Sequence, residues 1–334
     1  MIRRITLLLV VAALATVASA QTKLNGAGAT FPYPMYSKWF SEYNKLHRDV
    51  EINYQSIGSG GGIRQITAGT VDFGATDGPM TNDQLSQAKG KIYHIPTVLG
   101  AVVPAYNIKG VNQELKFSPA TLANIFLGRI TTWNDAAIAK DNPGVNLPTT
   151  SIVVVHRSDG SGTTFCFTDY LSKVSSDWNG LVGRGTSVKW PVGIGAKGNE
   201  GVAGMVRNMD GALGYIELIY AEQNKIMYGS VKNSSGNFIK ASLKSTTAAA
   251  SAANVPDDFR VSITNAPGKD AYPISTFTWL LVPAKNKDAN KQKIIVDFLT
   301  WMVNDGQKMT SQLSYAPLPE AIATKVRSAI SQLK

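Results

Sequence analysis

Hydrophobic and polar positions along this chain follow two periods, which together predict an α/β fold. Residues 51–57 alternate as a half-buried strand does, with Ile52 and Tyr54 on one face. A continuous apolar, β-branched run typical of a buried strand occupies residues 152–156, and residues 71–76 and 277–283 also read as strands. Segments that read as helices alternate with these strands, at residues 63–69, 163–173 and 292–304.

The clearest helical period lies near the N-terminus. Four aromatic residues recur at spacings of three and four positions: Tyr36, Trp39, Phe40 and Tyr43. They form one apolar face, which we expect to lie in the core. Thr30 is expected to cap this helix, and Pro32 suits its first turn.

The 334 residues suffice for one large domain or two of medium size. Two short segments are candidates for crossings between domains, residues 94–100 and 271–276. They predict a discontinuous first domain, 21–97 plus 275–334, and a second domain, 98–274. Residues 232–254 are rich in Ser, Ala, Lys and Thr, and they predict a mobile surface excursion.

The first twenty residues have the pattern of a secretory signal. Arg3 and Arg4 precede an apolar run over residues 5–17, and Ala18-Ser19-Ala20 fits a cleavage site. A membrane anchor is the alternative, but the run is shorter than the roughly 20 residues that span a bilayer. We therefore expect cleavage after Ala20 and a periplasmic mature protein.

Charge and the scarcity of reactive side chains exclude several function classes. The net charge is +10, but the basic residues are dispersed, so nucleic acid is not an expected partner. One cysteine, Cys166, cannot form an internal disulfide, and the three histidines lack metal-ligand spacing. A G-x-G-x-x-G match at residues 193–198 follows Pro191, which weakens a strand there, so no dinucleotide cofactor is expected.

Three segments rich in glycine and hydroxyl residues lie where a strand ends or a helix begins: residues 26–31, 58–62 and 159–163. Glycine permits close backbone approach, and free N–H groups at a helix start attract an anion. Serine and threonine hydroxyls add further donors. Together the segments favour a site for a tetrahedral anion, with ordinary glycine-containing loops as the alternative.

Two charged residues end predicted strands. Arg157 follows the strand at 152–156, and its guanidinium can bind an oxyanion through two parallel hydrogen bonds, with Asp159 near enough to orient it. Asp77 can accept the proton that phosphate keeps near neutral pH, whereas sulfate has no proton to give and is repelled. A structural ion pair for Arg157 and a turn position for Asp77 are the alternatives.

Several of these segments resemble the periplasmic phosphate-binding proteins of phosphate-specific ABC transporters: residues 26–32, 58–60, 71–77, 157–163, 189–191 and 214–215. The similarity covers nearly the whole mature chain and is weakest at 226–267. The resemblance implies a Venus-flytrap fold, with two domains of mainly parallel sheet flanked by helices and joined by two hinge crossings. It implies that Asp159 pairs with Arg157, and that phosphate contacts Thr30, Phe31 (through its backbone N–H), Ser59, Asp77, Arg157, Ser161, Gly162 and Thr163.

The implied function is capture of inorganic phosphate by a monomer, without catalysis, cofactor or metal. The implied partners are the inner-membrane permease subunits of a phosphate ABC transporter and their ATPase. One alternative is a binding protein for another tetrahedral oxyanion, such as sulfate, molybdate or arsenate. A second is an exported phosphatase or hydrolase that uses Ser59 or Ser161, although neither serine has a nearby base in the sequence.

Overall fold

The computed structural model describes residues 21–333. The predicted signal peptide, residues 1–20, lies outside the described residues. Within residues 21–333, no helix combines the length and the apolar character needed to cross a membrane.

Twelve strands occur in the described residues, and they are numbered in chain order: β1 (Thr22–Gly28), β2 (Val50–Ser56), β3 (Phe73–Thr76), β4 (Ile92–Asn107), β5 (Lys116–Phe117), β6 (Val153–Arg157), β7 (Ile194–Ala196), β8 (Ala212–Glu217), β9 (Met227–Tyr228), β10 (Ser230–Lys232), β11 (Phe238–Ile239) and β12 (Ser275–Pro283).

Twelve α-helices occur in the same part of the chain, with a 3₁₀ helix at Gly306–Leu313: α1 (Tyr33–Leu46), α2 (Ser59–Ala68), α3 (Asn82–Ser86), α4 (Pro119–Phe126), α5 (Ala136–Asp141), α6 (Gly162–Val174), α7 (Ser176–Leu181), α8 (Gly198–Asn208), α9 (Leu218–Gln223), α10 (Leu243–Ser251), α11 (Ala289–Asn304) and α12 (Glu320–Ile330).

The main sheet has the strand order β2-β1-β3-β12-β4-β8-β6-β7, and β9 pairs with β4. One group of neighbours, β2, β1 and β3, is parallel, and so is a second group, β8, β6 and β7. Between them β12 runs antiparallel to β3 and β4, and β4 runs antiparallel to β8. The predicted α/β fold class is confirmed. In such sheets, ligands bind outside the carboxyl ends of the parallel strands.

The long strand β4 joins two halves of the molecule. One half surrounds the parallel group β2, β1 and β3, and the other surrounds the parallel group β8, β6 and β7. Its residues 92–101 pair with β12, and its residues 102–107 pair with β8. The change of partner between Ala101 and Val102 directly follows the predicted crossing at 94–100. The other predicted crossing, 271–276, leads into β12. The limits of the two domains stay a prediction.

The aromatic face of α1 lies in the core, as its period predicts. Tyr36, Trp39, Phe40 and Tyr43 are all buried, and the indole N–H of Trp39 donates to a backbone carbonyl at 2.8 Å. The predicted cap of this helix is wrong. Pro32 occupies the N-cap position without a side-chain hydrogen bond. The Thr30 hydroxyl instead contacts Asn199 in the other half of the molecule.

The glycine-rich segment 58–62 forms the first turn of α2, which begins at Ser59 and not at the predicted residue 63. A Cβ atom on Gly62 would lie 2.6 Å from the Cα of Gly28 and 2.7 Å from the carbonyl oxygens of Ala27 and Ala75. The first turn of α2 therefore packs directly on the backbones of β1 and β3. A larger residue at position 62 would push the helix away.

The predicted surface excursion at 232–254 is also wrong, because this segment contains β11 and α10. Ser242 and Ser245 form a capping box at the start of α10. Ala249 and Ala250 are buried, and the helix packs against β4 and β12. Small residues here allow close packing and do not indicate exposure.

Candidate functional site

The eight predicted contact residues come from both halves of the molecule and meet in one buried place. They follow β1 and β3, end β6, or open α2 and α6. The two halves touch where the backbone N–H of Gly162 donates to the Ser59 hydroxyl oxygen at 3.0 Å. All eight are buried: Thr30, Phe31, Ser59, Asp77, Arg157, Ser161, Gly162 and Thr163.

Three tyrosines hold the backbone that follows β1. The hydroxyls of Tyr54, Tyr220 and Tyr315 donate to the carbonyl oxygens of residues 29, 30 and 31 at 2.8, 2.6 and 2.5 Å. Burial raises the pKa of each phenol well above its ordinary value, so each remains a donor. The carbonyl of Phe31 is thus engaged by a tyrosine. Its backbone N–H has no acceptor among residues 21–333.

The halves also approach each other through backbone beside Ser59. The N–H of Gly60 donates to the carbonyl of Gly160 at 2.9 Å. Gly58 has a φ of 85°, and a Cβ there would lie 2.3 Å from Oδ2 of Asp159. Conformation and space therefore both require glycine at position 58.

Arg157 ends β6, and its side chain is held by Asp159. Its Nε donates to Oδ1 at 2.7 Å and its Nη2 donates to Oδ2 at 2.5 Å. Burial acts to raise the pKa of Asp159, but the hydrogen bonds and charge of Arg157 bring it below the ordinary value. A guanidinium has five N–H donors. Since Asp159 engages two of them, Arg157 keeps donors for a further anion.

Asp77 follows β3 and is 1% exposed. Its Oδ1 accepts a hydrogen bond from the Thr278 hydroxyl at 2.8 Å. Burial raises the pKa of Asp77 to about 7, against the opposite effects of the Thr278 bond, the charge of Arg157 and the Ser59 hydroxyl. The carboxyl group of Asp77 and the guanidinium of Arg157 therefore act on the same buried place.

The segment after Arg157 opens α6. The Ser161 hydroxyl oxygen accepts the N–H of Thr164 at 3.0 Å and so caps the helix. A Cβ on Gly162 would lie 2.5 Å from Oγ of Ser59 and 2.6 Å from Cβ of Asp77. First-turn N–H groups have no partner within their own helix. The start of α6 therefore directs donors at the opposite half of the molecule.

Asn199 is a site residue that the sequence did not predict. It lies in the first turn of α8, is fully buried, and donates from its side-chain amide to the hydroxyls of Thr30 and Thr163 at 2.8 and 3.1 Å. The sequence signal nearest to Asn199 is the G-x-G-x-x-G match at 193–198, which directly precedes it. That segment does form a strand and the start of a helix, β7 and α8.

The chemistry of this place is that of a donor-rich site with one acidic acceptor. Hydroxyls, backbone N–H groups and a guanidinium supply donors, while Asp77 faces them as a carboxyl group. Within residues 21–333, no group of three or more His, Cys, Asp or Glu side chains has metal-binding geometry. His94 lies elsewhere, where its Nε2 accepts the N–H of Met80 at 3.0 Å, and burial lowers its pKa to about 4.

Comparison with known proteins agrees with the fold. A family model described as a PBP superfamily domain matches residues 15–306. The solved structure of a high-affinity periplasmic phosphate-binding protein, PfluDING, bound with phosphate, has a TM-score of 0.74 at 22% identity. The similarity covers 92% of this chain and 93% of that one.

Curated relatives are more similar in sequence. The chain is 47% identical over 309 residues to the phosphate-binding protein PstS of Xylella fastidiosa, covering 92% of this chain and 84% of the relative. It is 44% identical over 329 residues to PstS of Pasteurella multocida, covering 98% and 94% respectively. The chain therefore belongs to the PstS family of phosphate-binding proteins within the PBP superfamily.

Proposed function

We propose that this protein captures inorganic phosphate in the periplasm and delivers it to the permease of a phosphate ABC transporter. We further propose that the eight residues described above contact the phosphate. One observation carries the proposal: donors from both halves of the molecule converge on a buried place that contains a single acidic acceptor, Asp77. A protonated oxyanion is the ligand that satisfies both kinds of group.

The Asp77 carboxylate favours binding of phosphate over binding of sulfate. Monohydrogen phosphate keeps one P–OH group, which can donate to an ionised carboxylate. Sulfate has no proton, so its oxygen would face the Asp77 carboxylate as a like charge. A site with a buried acceptor rejects a ligand that cannot donate to it, because the acceptor is then left unpaired.

The available hydrogen bonds suffice for tight capture. Each bond to a charged group contributes about 1.5–3 kcal/mol, and a micromolar dissociation constant needs about 8 kcal/mol. Several such bonds from Arg157, Ser59 and the start of α6 together reach this value, and the costs of desolvation and ordering are the terms that oppose them.

The arrangement of the halves supports delivery to a transporter. Phosphate contacts on both halves would stabilise the closed form, so closure reports occupancy to the permease. We propose that the closing units are residues 21–97 with 275–334 and residues 98–274, and that the mature protein acts as a monomer. Export by a signal peptide cleaved after Ala20 fits this role.

The serine environments argue against the phosphatase alternative. Ser59 Oγ accepts N–H groups of Asp77 and Gly162 at 3.2 and 3.0 Å, and Ser161 Oγ caps α6. Nucleophilic serine needs an adjacent base that takes its proton. Among residues 21–333, no histidine or lysine is hydrogen-bonded to either hydroxyl, and the one carboxylate that is, Asp77, accepts from Ser59 at the long distance of 3.4 Å.

The direct test is calorimetric titration of the mature protein, after bound ligand has been removed by partial unfolding and dialysis. We expect phosphate to bind with a dissociation constant of about 1 μM or lower and sulfate to produce no comparable heat. Arsenate, which also keeps a proton, is expected to bind. Absence of phosphate binding, or turnover of a phosphate ester by the purified protein, would contradict the proposed function.

Replacing Gly162 with alanine is expected to weaken phosphate binding by about tenfold or more, because the new methyl group would collide with Ser59 and Asp77 in the opposite half. Gly204→Ala in α8 is the matched control, since no atom beyond the neighbouring backbone of its own helix lies within 4 Å of its Cβ position. Calorimetry measures both affinities, and thermal unfolding checks that both variants fold. Equal affinity of the two variants would show that the halves do not close on Gly162 around the ligand.

A further inference from the structure

The side-chain amide of Asn199 links both halves of the site. Its Nδ2 donates to Oγ1 of Thr30 at 2.8 Å and to Oγ1 of Thr163 at 3.1 Å. Its backbone N–H also donates to Oγ1 of Thr30, at 3.2 Å. Thr30 follows β1 in one half, whereas Thr163 opens α6 in the other. Asn199 thus contacts two predicted phosphate-binding hydroxyls at once.

The orientation of this amide follows from its third partner. The backbone N–H of Glu217, at the end of β8, lies 3.0 Å from Oδ1 of Asn199. A backbone N–H can only donate, so the atom that faces it must be the carbonyl oxygen of the amide. The NH₂ group therefore faces the two threonines, and both of its hydrogens are used there.

The two threonine hydroxyls are left with a single role. A hydroxyl accepts through two lone pairs and donates one hydrogen. Thr30 Oγ1 accepts two N–H groups of Asn199. Thr163 Oγ1 accepts the amide of Asn199 and, at 3.4 Å, Nη1 of Arg157. With both lone pairs engaged, each hydroxyl can only donate its hydrogen.

We propose that Asn199 is a positioning residue that fixes the hydroxyls of Thr30 and Thr163 as hydrogen-bond donors toward the bound oxyanion. This proposal rests on the proposed function. Without the amide, each hydroxyl can rotate and turn a lone pair toward the ligand, where it would repel a phosphate oxygen. Asn199 does not need to touch the phosphate to strengthen its binding.

A cycle of substitutions tests this coupling by phosphate calorimetry. Asn199→Leu keeps the branched shape of the side chain and removes all of its hydrogen bonds, and we expect it to weaken phosphate binding by about tenfold or more. In a Thr30→Val/Thr163→Val background, the same substitution is expected to weaken binding by less than about threefold, since the hydroxyls it acts on are gone. Asn208→Leu, at an exposed position of the same helix, is the matched control and should bind as the unsubstituted protein does.

The outcomes separate the possibilities. If the unsubstituted protein does not bind phosphate, the proposed function fails before Asn199 is tested. Equal losses from Asn199→Leu in both backgrounds would overturn the positioning role and leave a purely structural one. If Asn199→Leu does not fold, Asn199→Asp keeps the volume and the bond from Glu217 but replaces both donors by an acceptor. It should weaken phosphate binding by about a hundredfold or more, and unchanged affinity would equally refute the proposal.

Discussion

Replacing Arg157 with alanine is expected to weaken phosphate binding by about a hundredfold or more. The guanidinium is buried, and Asp159 holds it through Nε and Nη2 at 2.7 and 2.5 Å. The N–H groups that remain can form two parallel, charge-assisted bonds to one oxyanion, each worth about 1.5–3 kcal/mol. Their loss corresponds to two or more powers of ten in the dissociation constant. Calorimetric titration with phosphate measures it.

Two further variants separate binding from folding. Arg129→Ala removes an exposed arginine that pairs with Asp177 at the surface, and we expect it to leave the affinity unchanged. Arg157→Lys keeps the charge but loses the planar pair of donors, so it should lie between the alanine variant and the unsubstituted protein. An alanine variant that folds and binds within about tenfold of the unsubstituted protein would remove Arg157 from the proposed site.

Local sequence patterns predicted most of the elements that carry the site. The strands predicted at 71–76, 152–156 and 277–283 correspond to β3, β6 and β12, and the predicted helices correspond to α2, α6 and α11. The reason is that each signal lies within about ten neighbouring residues, which is the range over which periodicity operates. The same applies to Arg157 and Asp159, whose ion pair spans two positions.

Long-range contacts could not be predicted in this way. Tyr220 and Tyr315 lie 190 and 284 residues from the carbonyls that they hold, and Asn199 lies 169 residues from Thr30. No local period marks such partners. The prediction that Thr30 caps α1 is wrong for the same reason. Its hydroxyl suits a helix start, but it accepts hydrogen bonds from Asn199 in the other half of the molecule.

The buried environment explains why so many donors can coexist with one acid. The hydroxyls of the three tyrosines donate to the carbonyl groups of residues 29–31, which would otherwise repel an anion. Asp159 pairs with Nε and Nη2 of Arg157. Asp77 alone keeps a carboxyl group among the donors, and its pKa of about 7 shows how strongly burial opposes its charge. A ligand that donates a hydrogen bond to this carboxylate offsets the free-energy cost of its buried charge. We therefore expect a single substitution at Asp77 to change the selectivity.

Replacing Asp77 with asparagine is expected to raise sulfate affinity by about tenfold at pH 8, where about nine tenths of Asp77 is ionised, while phosphate affinity changes by about tenfold or less. The amide keeps the size of the carboxyl group but removes its charge and supplies two N–H donors, which can bond to a sulfate oxygen. The change replaces a like-charge contact by a hydrogen bond, and each effect is worth about 1–3 kcal/mol. Competition calorimetry with both anions measures the ratio of affinities, and sulfate rejection as strong as in the unsubstituted protein would contradict the role of Asp77.

The pH dependence of sulfate binding gives an independent check without any substitution. Because the pKa of Asp77 is about 7, about one tenth of the ligand-free protein carries the neutral acid near pH 8, and nearly all of it does near pH 5. The neutral acid can donate to sulfate, so sulfate affinity should rise by about tenfold as the pH falls over this range. In Asp77→Asn the group no longer titrates, and the same titrations should give a flat profile. A rise of equal size in the variant would assign the pH effect to another group, and a flat profile in the unsubstituted protein would show that ionised Asp77 does not exclude sulfate.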